Sequence, residues 1–167
     1  MRVIVSDTSP IGYLVLIGLD SLLQQLYGHV LIPQAVANEL QRSRTPHAVQ
    51  EWMNSPPSWI EIIPSSSAVQ THSISASLDP GEREVLQLAL NFCADLILMD
   101  ERAGVEEARR IGLAATGTLG ILARCAERGW IKLKPALEML QNTNFRVNPR
   151  LIEQMLAAEK DTSDPQA

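Results

Sequence analysis

The chain is short of the residues that build cross-linked or zinc-centred proteins. It has two cysteines, Cys93 and Cys125, and three histidines, His29, His47 and His72. A zinc site needs clustered Cys and His at short spacings, and these five are scattered through unrelated segments. Each cysteine lies in an apolar, helix-like stretch, so both are read as buried free thiols. Long hydrophobic runs are missing too. The longest near the N-terminus, Tyr13 to Leu19, is interrupted by Gly18 and falls well short of the roughly 20 residues that span a bilayer. No basic leader with a signal-like core precedes it, and a cytoplasmic protein without a membrane partner is the expectation. Positive charge is also in deficit: 14 Lys and Arg face 19 Asp and Glu, a net charge of −5. Proteins that coat nucleic acid without specificity depend on phosphate neutralisation, so the acidic balance counts against that function. A small enzyme with its negative charge gathered in one site and arginines on its rim is still compatible. Arg42, Arg44, Arg83, Arg102, Arg109 and Arg110 all fall near acidic residues in the sequence, although solvated surface charge is the plainer account of each.

What is present is an ordinary globular composition, 46% hydrophobic and 20% charged. The length suits one domain, expected over residues 1–159 with a flexible tail at 160–167. Short apolar runs at Arg2–Ser6, Val30–Ile32, Trp59–Ile63, Leu96–Met99 and Leu113–Thr116 read as strands. Helical segments alternate with them: after Asp7, at Leu19–Tyr27, from Pro33 through Glu39, at Pro46–Asn54, Pro80–Phe92, Glu101–Ile111 and Gly117–Glu127. Two more follow near Pro135–Leu140 and Pro149–Ala158. Thr8 or Ser9 is the expected N-cap of the first helix, with Pro10 in its first turn. The serine-rich stretch Pro64 to Ser77 has no periodicity and reads as a mobile loop. Strands that are apolar throughout, alternating with helices, predict an α/β fold: a three-layer α/β/α sandwich around a mainly parallel sheet.

In such sheets, ligands bind outside the carboxyl ends of the strands. Asp7 directly follows the first strand and Asp100 directly follows the Leu96–Met99 strand, so parallel strands bring both carboxylates to one edge. Either could be a helix-capping aspartate instead. Asp95 precedes its strand and belongs to the opposite edge. Glu82 is more pointed. At about 100° per residue it shares a face with Val85, Leu86, Ala89, Phe92 and Cys93, whereas Glu84 points the other way. A carboxylate on a buried stripe is costly unless it is paired, or unless it escapes to solvent in the first helical turn. Glu39 lies at the edge of an apolar face, where a surface glutamate would look the same. If Asp7, Glu39, Glu82 and Asp100 converge, each pair about 4 Å apart repels by about 4 kcal/mol at an effective dielectric of 20. Such a group retains protons or binds a divalent cation, and an all-oxygen donor set favours Mg²⁺ or Mn²⁺ over zinc.

The residues Val3-Ile4-Val5-Ser6-Asp7-Thr8-Ser9, Pro33 through Glu39-Leu40, Asp79-Pro80-Gly81-Glu82 and Leu96-Ile97-Leu98-Met99-Asp100-Glu101-Arg102 resemble the successive acidic motifs of PIN domains. Gly112-Leu113 and Gly117-Thr118-Leu119-Gly120 are similar to the continuation in a VapC-like subfamily of uncharacterised prokaryotic PIN proteins. The resemblance implies a metal-dependent endoribonuclease, often the toxin of a toxin–antitoxin pair with an antitoxin partner, and often a homodimer. It implies catalytic roles for Asp7, Glu39, Glu82 and Asp100, with Mg²⁺ or Mn²⁺ held by Asp7, Glu82, Asp100 and Glu101. Thr8 and Ser9 would orient Asp7 or a bound water. Two departures stand out: Leu98 sits where many PIN domains carry Thr, Ser or Asn, and Glu82 replaces the shorter Asp of other branches. The Gly117–Gly120 stretch itself reads as a helix start. The competing function is a nucleic-acid- or protein-binding module that keeps the fold with little activity. A phosphatase with Asp7 as nucleophile would want an aspartate where Ser9 stands.

Overall fold

The computed structural model describes residues 2–64 and 74–163, with side chains described to residue 159. Its sheet is built from β1 (Ile4–Ser6), β2 (Val30–Pro33), β3 (Ile60–Ile63), β4 (Leu96–Leu98) and β5 (Ala115–Thr116). The strand order is β3-β2-β1-β4-β5, and every pairing is parallel. This confirms the α/β expectation. The apolar strands are buried as a parallel sheet requires: Ile4, Val5, Val30, Ile32, Ile97 and Leu98 are all essentially sealed from solvent. At one border, β3 exposes Glu61, which accepts a 2.8 Å hydrogen bond from His29.

Helices connect the strands: α1 (Thr8–Leu16), α2 (Ser21–Tyr27), α3 (Gln34–Leu40), α4 (His47–Asn54), α5 (Pro80–Asn91) and α6 (Arg102–Arg110). Then come α7 (Thr118–Glu127), α8 (Leu133–Gln141) and α9 (Pro149–Ser163). The described chain groups into two compact units, Met1–Thr118 and Leu119–Ala167. The first contains the whole sheet. In the second, α8 buries Leu133, Ala136, Leu137 and Leu140 at helical spacing, and the Leu133 amide donates to Glu159 at 3.1 Å. α9 continues to Ser163, beyond the point where a flexible tail was expected, and residues 164–167 lie outside the described residues. So does most of the serine-rich loop, residues 65–73.

Topology places the site. From β1 the sheet grows through β2 to β3 on one side and through β4 to β5 on the other. The direction of growth reverses between β1 and β4, and connections leaving those two strands part company there, opening a crevice at their carboxyl ends. The register pairs Ser6 with Leu98, and the Asp7 amide donates to the Leu98 carbonyl at 2.8 Å. Asp7 and Asp100 therefore leave neighbouring strands at the switch point. At the other end Asp95 does what its position suggests, accepting a 2.7 Å bond from the Val3 amide and aligning β1 with β4.

Two details of the core differ from the periodicity argument. α5 ends at Asn91, so Phe92 and Cys93 leave its apolar stripe: Phe92 is 44% exposed, and Cys93 is exposed with φ of 51°. Cys125 is buried, and both thiols are free. Glu84 is half-buried rather than solvated.

Candidate active site

Asp7 is the N-cap residue of α1, in place of Thr8 or Ser9, yet its side chain makes no capping hydrogen bond. The bland account of this aspartate therefore fails. The residue is 7% exposed. Desolvation raises its pKa from 3.8 to about 7, the Thr8 backbone N–H pulls it down, and the negative charges of Glu39, Asp79 and Glu82 push it up again. A buried acid held between three other acids is a feature that core packing alone does not produce.

Glu39 reaches the same place from α3. Its Oε2 accepts a 3.1 Å hydrogen bond from the Thr8 hydroxyl. The Thr8 hydroxyl, expected to orient Asp7 or a bound water, is turned to Glu39; Ser9 sits half-buried in the same turn. Glu82 opens α5 and is 6% exposed. It forms a capping box with Asp79: the Glu82 amide donates to Asp79 Oδ1 at 2.8 Å, and the Asp79 amide donates to Glu82 Oε2 at 3.0 Å. The capping explanation of Glu82 is thus correct in part. Burial nevertheless raises its pKa, the Asp79 amide opposes that, and the charges of Asp79 and Glu101 add to the rise. Asp79 is the acid that sequence reasoning passed over. Its carboxylate acts on both Asp7 and Glu82, and the signal was its place three residues before Glu82, the capping-box spacing.

On the β4 side, Asp100 is half-buried and takes two hydrogen bonds from Thr118. Desolvation raises its pKa, the Thr118 hydroxyl and amide lower it, and Glu101 raises it. Glu101 is exposed at the start of α6 and makes no capping bond. Its charge bears on Glu82 and Asp100 alike, so it joins the two halves of the cluster electrostatically.

Three glycines keep space open beside these carboxylates. A Cβ at Gly81 would lie 3.3 Å from Asp79 Oδ1 and 3.6 Å from Glu39 Oε2. One at Gly104 would overlap Met99 Sδ and stand 3.4 Å from Glu82 Oε1, and one at Gly117 would overlap Asp100 Oδ1. The donor set is oxygen throughout, which fits a hard divalent cation. The residues are not closed around one, however. Among the described residues, no group of three or more His, Cys, Asp or Glu is positioned to hold a metal ion. Several of the carboxylate oxygens carry hydrogen bonds: both of Asp100 to Thr118, one of Glu82 to Asp79, and one of Glu39 to Thr8. Each bonded oxygen keeps a second lone pair, so the donors are engaged rather than exhausted.

The arginines divide into two sets. Arg102 is tied to Glu106 at 2.7 Å, and Arg110 grips Glu107 through Nε and Nη2 at 2.7 and 2.8 Å. Glu107 also receives the Ser75 amide at 2.7 Å; the Arg110 bonds, the Ser75 amide and the Arg110 charge hold its pKa down at about 2. Arg42 and Arg44 lie exposed on the turn after α3, with no ion-pair partner among the described residues.

No helix among the described residues is long and apolar enough to cross a membrane. A comparison with curated proteins gives no match. The family model DUF3368, a PIN domain, matches residues 3–161, a span that takes in all five strands and every acid of the site. On that match, and with an all-parallel five-stranded sheet carrying its acids at the switch point, the chain belongs to the PIN-domain family, a nuclease-type fold.

Proposed function

We propose that this protein is a metal-dependent endoribonuclease that cleaves RNA phosphodiesters at the acidic cluster between β1 and β4. The observation that carries the reading is Asp7: a nearly sealed carboxyl group, free of capping duty, surrounded by Glu39, Asp79 and Glu82. Asp7, Glu82, Asp100 and Glu101 would hold Mg²⁺ or Mn²⁺, with Glu39 supporting from α3. When bound, such a cation makes water a better nucleophile and stabilises charge developing on the phosphodiester. The chain's own contribution is to gather the acids, to hold the Asp7 pKa up near neutrality, and to leave room beside the carboxylates through Gly81, Gly104 and Gly117.

The match over residues 3–161 supports treating 1–159 as one functional domain. The VapC-like motifs extend the reading to a cytoplasmic toxin with an antitoxin partner, acting as a homodimer. A second reading, a PIN-fold module that binds nucleic acid or protein without cutting, draws support from the unclosed carboxylates and from Leu98. Incubation with single-stranded and structured RNA separates the two. The enzyme is expected to cleave with Mn²⁺ and to stop on addition of EDTA. Binding to RNA with no metal-dependent product would select the module instead.

A further inference from the structure

Gly117 and Thr118 read in the sequence as a plain helix start, and their geometry asks for more. The Thr118 amide donates to Asp100 Oδ1 at 2.7 Å and the Thr118 hydroxyl donates to Asp100 Oδ2, also at 2.7 Å. An ordinary helix start needs only the first of these. The second commits the single hydrogen of a fully buried hydroxyl to the same carboxylate. Two bonds from one residue to both oxygens fix the carboxylate against rotation about its own axis. The partner glycine is required as well. A Cβ at position 117 would overlap Asp100 Oδ1 and stand 3.3 Å from the Met99 carbonyl oxygen. No other site acid is held in this way: Glu82 has one side-chain oxygen bound, to a backbone amide that is itself part of a cap, and Glu39 has one bound to a hydroxyl.

We propose that Thr118 is a positioning residue: with Gly117 it forms a two-pronged clasp that fixes the orientation in which Asp100 offers its remaining lone pairs to the site. The proposal rests on the nuclease reading for its consequence and on the hydrogen bonds for its geometry. A hydroxyl at 118 is therefore needed, and its methyl group is not.

The test uses the full chain with Thr118→Val, which preserves shape and removes the donor, and Thr118→Ser, which preserves the donor and removes the methyl. Thr118→Ala stands in for the valine variant if that one does not fold. Mn²⁺ binding is followed by the electron paramagnetic resonance of the free ion, and the Asp100 side chain is read from metal-free crystal structures. Thr118→Val is expected to weaken Mn²⁺ binding by about 10–100-fold, with the Asp100 carboxylate turned from its present orientation. Thr118→Ser is expected to restore both. If Thr118→Val lowers only the melting temperature and leaves Mn²⁺ affinity and the Asp100 orientation unchanged, Thr118 is merely structural and the clasp is overturned. If the unmutated protein binds no Mn²⁺, the nuclease reading falls by itself. In that case an Asp100 that turns in metal-free Thr118→Val still supports the clasp, and one that stays in place overturns it.

Discussion

Replacing Asp7 with asparagine is expected to abolish metal-dependent cleavage while making the metal-free protein more stable above neutral pH. The loss of activity follows from removing an anionic donor at the centre of the cluster. A stabilisation of several kcal/mol at the reacting phosphodiester corresponds to a fall of about 10³-fold in rate. The gain in stability follows from linkage. In the unfolded chain Asp7 titrates near 3.8, and in the folded chain near 7. Between those values the folded state holds a proton that the unfolded state has released, so folding stability declines as pH rises from about 4 to 7 and stays low above that. A difference of roughly three pKa units corresponds to at most about 4 kcal/mol. Asparagine keeps an acceptor for the Thr8 amide, carries no charge to desolvate, and removes that part of the pH dependence. Urea denaturation in EDTA at pH 5 and pH 8 checks this: the variant should match or exceed the parent at pH 8, with the advantage shrinking towards pH 5. A variant less stable than the parent at pH 8 would mean that the Asp7 carboxylate is paired and not strained.

Gly104→Ala is expected to destabilise the fold although it replaces a helical glycine by the best helix former. Propensity alone would stabilise by about 1 kcal/mol. The added methyl, however, would overlap the Met99 sulfur, and Met99 is completely buried at the end of β4. Overpacking of this kind costs about 1–3 kcal/mol or more, which outweighs the propensity gain. A drop in melting temperature of a few degrees is expected for a chain of this size. The methyl would meet Glu82 Oε1 only at ordinary contact distance, 3.4 Å, so the strain falls on Met99. A double-mutant cycle with Met99→Ala identifies the cause: the double variant should be less destabilised than the sum of the singles. Strict additivity would place the effect elsewhere than at this contact.

The fold and half of the site were legible because they depend on order along the chain. Five apolar strand segments separated by helical ones imply a parallel sheet, and an acid directly after a parallel strand is delivered to its carboxyl edge whatever the loops do. Asp7 and Asp100 are of that kind. Glu82 was legible from helical phase. Asp79 is less so: its spacing from Glu82 signals a capping box, and only the fold shows that the box lies beside Asp7. The link from Thr8 to Glu39 is hidden in the sequence, which shows a hydroxyl beside Asp7; only the approach of α3 reveals that Glu39 receives it. Phe92 and Cys93 were placed on the buried stripe of α5 by continuing its period two residues past the helix end. What the glycines at 81, 104 and 117 leave room for is not legible in the sequence, since the space a missing Cβ leaves has meaning only once its neighbours are in place.

The account turns on whether carboxylates from four separate segments act as one cation-binding group. Crystals soaked in Mn²⁺ and measured at the manganese absorption edge test that directly. The expected result is an anomalous peak between Asp7 and Asp100, with Glu82 or Glu101 turned towards it, both Thr118 bonds to Asp100 kept, and the Asp79 amide bond to Glu82 released or lengthened. A featureless map there at saturating Mn²⁺, with every carboxylate still on its present hydrogen-bond partner, would contradict it.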